Sequence, residues 1–140
     1  MIKLKKLLGV LIASMLTVGT IVTPVYAEYI VTGYSAQLCY NADGQYMGGA
    51  QLSCDFEYVD GDYVVDRSVS TFYSAELSNS DCLFSDVKSD HSSSGSYAYG
   101  KCSYYASDDV YFNYGYLETE CDNYGNIQDN GKCIARGYVN

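Results

Sequence analysis

Apolar and polar side chains alternate along most of the chain after residue 28. The alternation is clearest over residues 50–58, where the letters AQLSCDFEY place an apolar side chain at every even position and a polar one at every odd position. A β-strand sends successive side chains to opposite faces of a sheet. The pattern therefore predicts a strand that buries one face and exposes the other.

Six further segments show similar patterning, and turn-forming residues separate them. The seven predicted strands are residues 30–40, 50–58, 63–73, 82–87, 96–106, 110–121 and 132–139. Asn41–Gly44 and Asp60–Asp62 are tight-turn signals, and the polar stretch 89–96 is predicted to be a loop. No segment shows a capped helical periodicity. We expect an all-β fold, a small antiparallel β-sandwich of about seven short strands, with a small barrel as the alternative.

Arg67 interrupts the third predicted strand, where Tyr63, Val65, Val69 and Tyr73 are expected to share one side. An unpaired charge inside a sandwich is too costly to keep. We therefore expect Arg67 to lie at the rim of the sheet or to pair with an acidic side chain.

The first 27 residues have the composition of a secretory signal peptide. Lysines precede the apolar run from Leu7 to Val22, Pro24 ends that run, and Val25-Tyr26-Ala27 places small residues where a signal peptidase cleaves. A membrane anchor is the alternative, but the run is short for a span of about 20 residues. We expect residues 1–27 to be removed, leaving residues 28–140 as one secreted, extracellular domain.

Six cysteines lie in the predicted mature chain: Cys39, Cys54, Cys82, Cys102, Cys121 and Cys133. An even number in an exported chain predicts three disulfides. The midpoint of each sequential pair lies in a turn-rich segment, which favours the pairs Cys39–Cys54, Cys82–Cys102 and Cys121–Cys133 among the 15 arrangements that six cysteines allow. A zinc site is disfavoured because the chain has one His and no C-x-x-C motif.

The predicted mature chain is strongly acidic, with five basic residues against seventeen acidic ones and a net charge of −12. Such a charge opposes binding to nucleic acids and to anionic membranes. No cofactor is expected, although calcium is possible at the acidic turns around Asp60, Asp62 and Asp66, at Asp108-Asp109, or in the segment Asp122–Asp129. Solvated acidic turns are the simpler interpretation.

Enzyme chemistry has little support in the residue pattern. Asp90-His91-Ser92 contains the residue types of a hydrolase triad, but neighbouring side chains point apart and cannot assemble one. Glu118 and Glu120 share a strand face that we expect to be solvent-exposed, without the burial that a glycosidase acid needs. We therefore expect a protein that is not an enzyme, with a small extracellular hydrolase as the least favoured alternative.

Sixteen tyrosines in residues 28–140 are the most unusual feature of the chain. Alternation places Tyr97, Tyr99 and Tyr105 on one strand face, and Tyr114 and Tyr116 on one face of the next strand. These five tyrosines are our candidate ligand-binding residues, for an extracellular glycan or protein partner. The alternative is that tyrosines replace missing aliphatic residues and stabilise the sheets through cross-strand pairs.

Two short segments resemble known families. Tyr40–Gly48 resembles the aromatic-x-Gly hairpin of βγ-crystallins, with a spacing one residue longer. His91–Gly95, followed by a tyrosine-rich strand, is similar to small secreted β-sandwich bacteriocins of the lactococcin kind, which are usually basic. The second resemblance implies the alternative function of a secreted, bacteriocin-like toxin. No functional residues carry over from either family.

Overall fold

The computed structural model describes residues 26–140, so most of the predicted signal peptide lies outside the described residues. The described residues form seven strands and no helix, as the alternation predicts. The strands are β1 (Tyr29–Tyr40), β2 (Tyr46–Val59), β3 (Tyr63–Ala75), β4 (Asp81–His91), β5 (Tyr97–Ser107), β6 (Tyr111–Asp122) and β7 (Ile127–Tyr138). Within residues 26–140 no helix is long and apolar enough to cross a membrane.

The strands form two antiparallel sheets in chain order, β1-β2-β3 and β4-β5-β6-β7. Every strand pairs with its neighbour in sequence, except that the chain crosses from one sheet to the other between β3 and β4. The turns are local: the Asn41 side chain accepts the amide hydrogens of Asp43 and Gln45, and Gly61 adopts a positive φ of 75° in the β2–β3 turn. Short polar turns of this kind favour a meander over a more complex topology.

The two sheets pack face to face around a core drawn from both. Ala50, Leu52, Cys54 and Phe56 of β2 are fully buried or nearly so, which confirms the predicted inner face of this strand. They meet Ala98, Cys102, Tyr104 and Leu117 of the four-stranded sheet in two neighbouring clusters. Tyr104 is 1% exposed and is the largest fully buried side chain among the described residues. Some tyrosines therefore do replace aliphatic core residues.

The third strand differs from its prediction because of a bulge. Asp55 is opposite Ser68 and Phe56 is opposite Asp66, so Arg67 is an extra residue without a partner. An extra residue reverses the faces of the side chains on one side of it relative to those on the other. Val64 is consequently buried, and the prediction that Tyr63 and Val65 share a face with Val69 and Tyr73 is wrong.

Arg67 lies where the cost of burying a charge predicts. Its side chain is 54% exposed, and its guanidinium Nη1 donates to Glu57 Oε1 at 2.6 Å. The expectation of a rim position or an acidic partner is confirmed.

The structure forms none of the three predicted disulfides, and all six cysteines are free thiols. The register explains why the sequential pairs do not meet. Cys54 is opposite Gly33, six positions from Cys39, and Cys121 is opposite Ile127, six positions from Cys133. Six strand positions span about 20 Å, whereas a disulfide needs Cα atoms within about 7 Å. Cys82 is opposite Ala106, four positions from Cys102, which is about 13 Å.

The thiols serve as small apolar side chains. Cys39, Cys54, Cys102 and Cys121 are at most 3% exposed. Burial raises the pKa of Cys54 to about 12 and that of Cys39 to about 11. A thiol with so high a pKa is hardly ever a thiolate at neutral pH and reacts slowly with oxidants.

Candidate functional site

All five candidate tyrosines lie on the outer face of the four-stranded sheet. On β5 the buried residues Ala98, Cys102, Tyr104 and Ala106 alternate with the outward positions, and on β6 the buried residues Asn113, Leu117, Thr119 and Cys121 do the same. Tyr97, Tyr105 and Tyr114 are 47%, 36% and 39% exposed, and Tyr99 and Tyr116 are half-buried. The shared face predicted from alternation is therefore present, and we call it the tyrosine face.

Cross-strand register groups some of these rings at one end of the face. Tyr105 is directly opposite Tyr114 on one side and Leu83 on the other. The Tyr105 ring also stacks on Phe112, with centroids 5.3 Å apart and planes 12° from parallel. Directly opposite residues share a sheet face and touch. The result is an exposed apolar cluster to which β4 contributes Leu83 and β5 and β6 contribute the aromatic rings.

A bulge in β4 shapes the middle of the face. Ser85 is opposite Ser103 and Lys88 is opposite Lys101, so the chain inserts one extra residue between these pairs. Asp86 lies in the bulge with a φ of 54°, in the left-handed region that non-glycine residues adopt rarely. Bulges are common on edge strands, such as β4 in this sheet, and next to functional sites, where they re-aim a side chain.

The bulge brings two like charges together. Lys88 and Lys101 are directly opposite across β4 and β5, an arrangement that costs stability by itself. Lys101 Nζ lies 5.1 Å from the centroid of the Tyr99 ring, and Glu118 is opposite Lys101 on β6. The Tyr99 ring and Glu118 therefore offset part of the repulsion at Lys101, whereas Lys88 has no ion-pair partner among residues 26–140.

These residues line a shallow depression of about 390 Å³ on the tyrosine face. We call it the first depression, and the side chains around it are Asp86, Lys88, Lys101, Ser103, Tyr116 and Glu118. Among residues 26–140 the two ion pairs are Arg67–Glu57 and His91–Asp66, so none of the four charged groups here is held in one. Their polar atoms are available to a ligand.

A second depression of about 370 Å³ lies towards the β6–β7 turn. Tyr97, Glu120, Asp122, Asn126, Ile127 and Gln128 line it, together with Cys121. Tyr99, Glu120 and Gln128 form one row across β5, β6 and β7, which continues the tyrosine face from the first depression to the second.

The acidic segments considered for calcium do not gather into one site. Asp108 accepts the amide hydrogens of Val110 and Tyr111, and Asp122 accepts those of Tyr124 and Asn126. Burial raises the pKa of Asp122, but the hydrogen bonds from Asn126 and Tyr124 outweigh it and leave this pKa below its usual value. These carboxylates thus order their own turns.

Asp66 instead joins the two sheets, away from Asp60 and Asp62. Its Oδ1 lies 2.7 Å from His91 Nδ1, and its Oδ2 accepts the Ser89 hydroxyl at 2.5 Å. Ser89 and His91 belong to β4, which runs past the predicted loop start at residue 89. Asp66, Asp90 and His91 form the single grouping of three metal-ligand side chains found in residues 26–140. Ser89 and His91 both bond to Asp66 and not to each other. This arrangement differs from a nucleophile–base pair, in which the serine hydroxyl contacts the imidazole.

Sequence reasoning found the tyrosines and missed most of the polar residues between them. Glu118 and Glu120 stood out only as a possible glycosidase pair, yet each lines one of the two depressions. Lys88 and Asp86 carried no signal, because the bulge that positions them falls at the end of the predicted strand 82–87. For Lys101 the sequence held one indication, its position between tyrosines on the same strand face.

Comparison with known proteins gives no information on the function of this face. No protein-family model, curated protein or solved structure matches the chain.

Proposed function

We propose that the protein is an extracellular, non-enzymatic binding domain that recognises a neutral glycan through the tyrosine face. The observation that carries this proposal is the first depression, an exposed hollow lined by the Tyr116 ring and by several polar side chains that form no ion pair among residues 26–140. Binding sites combine apolar surface with a few placed polar groups, which fix the orientation of the ligand.

The chemistry of the depression fits a sugar ring. The Tyr116 ring offers a flat apolar surface to the C–H face of a pyranose, and its hydroxyl can exchange hydrogen bonds. Ser103, Lys88, Lys101, Asp86 and Glu118 supply donors and acceptors for sugar hydroxyls around that ring. One tyrosine ring beside several charged side chains matches a ligand that is apolar on its faces and polar at its edge.

The charge balance favours a neutral ligand. The first depression holds two lysines and two carboxylates, so its formal charge is zero. A polyanionic glycan would also approach a chain whose predicted mature part carries a net charge of −12. A protein partner needs a larger buried area than one shallow hollow provides, of about 800 Å² per partner.

The extracellular location is the second part of the proposal and rests on the N-terminal sequence pattern of residues 1–27. Free thiols are compatible with it. Burial raises the pKa of the buried cysteines, and the register holds the sequential pairs apart. Few of these thiols are therefore ionised at neutral pH, and they react slowly with oxidants.

The test is binding of the purified protein to immobilised neutral polysaccharides and to isolated cell-wall polysaccharide. We expect Tyr116→Ala to lower the affinity about tenfold, which corresponds to about 1.4 kcal/mol. The matched control is Tyr34→Ala, because Tyr34 is 62% exposed on the outer face of the other sheet. Glu118→Gln is a second variant that keeps the size of the side chain.

The two variants and the control separate the possible results. The proposal is supported if Tyr116→Ala and Glu118→Gln both weaken glycan binding and Tyr34→Ala leaves it unchanged. Binding that Tyr34→Ala weakens would assign the ligand to the three-stranded sheet. No binding to any glycan would contradict the proposal and leave a protein partner as the ligand class to examine.

A further inference from the structure

We infer that the two depressions on the tyrosine face are consecutive subsites for one extended, unbranched glycan chain that lies parallel to the strands. This inference rests on the proposed function and adds the length and shape of the ligand. It requires that the depressions lie on one face, in line, and too far apart for one sugar ring.

The first requirement follows from the alternation of β6. Glu118 lines the first depression and Glu120 the second, and both point outward on either side of buried Thr119. Consecutive outward positions on a strand are about 7 Å apart. The two depressions are therefore neighbours along one strand of one face.

The direction is set by the register. Tyr116 of the first depression lies on β6, and Tyr97 of the second is opposite Asp122 of the same strand. Tyr116 and Asp122 are six positions apart, which is about 20 Å along the strand. One sugar ring cannot contact both tyrosines, whereas an extended chain of several rings can.

The surface between the two tyrosines is continuous and polar. Tyr99, Glu120 and Gln128 cross it as one row, and Lys101 lies over the Tyr99 ring. These side chains can hydrogen-bond the hydroxyls of the rings that connect the two subsites. Aromatic rings at both ends with polar groups between them suit a chain whose flat faces stack and whose edges are hydrated.

The experiment is a chain-length series measured by titration calorimetry with the purified protein. The probes are chito-oligosaccharides and cello-oligosaccharides from disaccharide to hexasaccharide, which are neutral and extended. We expect affinity to rise with length and to level off once the chain spans both subsites. The hexasaccharide should bind at least about tenfold more tightly than the disaccharide, which corresponds to about 1.4 kcal/mol.

Two variants assign the subsites. Tyr97→Ala should lower hexasaccharide affinity several-fold and leave disaccharide affinity unchanged, if the disaccharide occupies the first depression. Tyr116→Ala should lower both. Tyr97 is 47% exposed, so its truncation should not disturb folding, and thermal melting of each variant checks this.

The outcomes distinguish the inference from the proposed function. Equal affinity for the disaccharide and hexasaccharide, lost in Tyr116→Ala, would overturn the two-subsite arrangement and keep glycan binding at the first depression. The same holds if Tyr97→Ala binds the hexasaccharide as tightly as the parent protein. Absence of binding at every length would instead count against the proposed function itself.

Discussion

Gly33 on β1 allows the two sheets to approach closely at the centre of the fold. It is opposite Cys54 and faces inward, where a Cβ atom would overlap Thr119 Oγ1 and lie 3.1 Å from Thr119 Cβ. Thr119 is fully buried, and its hydroxyl donates to Asp129 Oδ1 at 2.6 Å. In Gly33→Ala, either the threonine turns away and loses this hydrogen bond or the sheets move apart.

Both responses have similar magnitudes. Losing a hydrogen bond to a charged group costs about 1.5–3 kcal/mol, and overpacking a tight core costs about 1–3 kcal/mol. We therefore expect Gly33→Ala to lower the free energy of unfolding by about 2 kcal/mol. In a domain of this size that corresponds to a decrease in Tm of about 8 °C.

Urea denaturation of Gly33→Ala, Gly137→Ala and a double variant tests this reasoning. Gly137 is the matched control, because a Cβ there meets nothing closer than Phe112 at 3.4 Å, and its effect should stay within about 0.5 kcal/mol. In a Thr119→Ala background the cost of Gly33→Ala should fall by about 1 kcal/mol, since the overlapping hydroxyl is gone. Equal effects of Gly33→Ala and Gly137→Ala, or no coupling to Thr119, would refute the close approach of the sheets.

Three further predictions concern buried polar groups and thiols. Burial raises the pKa of Asp66, but hydrogen bonds from Ser89 and His91 outweigh it and leave this pKa below its usual value, so the stability that Asp66 adds is complete above about pH 4 and is lost as the pH falls through the lowered pKa. Asp66→Asn should therefore lower the free energy of unfolding by about 1–3 kcal/mol at pH 6 and by less at pH 2, as denaturation at both pH values would show. Tyr104→Phe should change stability by less than about 1 kcal/mol, because no residue of 26–140 forms a well-aligned hydrogen bond with the buried hydroxyl and the nearby Cys133 thiol is a weak partner. A decrease of more than about 1 kcal/mol in the free energy of unfolding would contradict this. Alkylation without reduction, followed by mass spectrometry, should label six thiols in the unfolded protein and few in the native one, whereas a non-reduced mass lower by about 6 Da would show three disulfides.

Alternation of side chains was enough to predict the number of strands and, for most strands, which side chains face inward. In β2, β5 and β6 no bulge interrupts the alternation in the segments considered, so the predicted inner and outer faces match the structure. The common outer face of the five candidate tyrosines follows from the same regularity, because a side-chain period of two depends only on the backbone.

The remaining features depend on irregularities and on contacts between sheets. The bulges at Arg67 and Asp86 each insert one residue, which moves Val64 inward and aligns Lys88 with Lys101. Alternation cannot reveal how one sheet lies over the other, so the partnership of Asp66 with His91 was not predictable. The cysteine pairs failed for a related reason, because turn-centred midpoints assume symmetric hairpins and the register places Cys54 opposite Gly33.

The most direct test of the central claim is a map of the binding surface. Backbone amide resonances of the isotopically labelled protein would be followed by NMR during titration with chitohexaose, and with cellohexaose in a second series. The account predicts shifts concentrated on β5 and β6 around Lys101, Tyr116 and Glu120, with the outer face around Tyr34 unchanged. Shifts centred on Tyr34 and the three-stranded sheet, or no shift at saturating concentrations of either sugar, would contradict it.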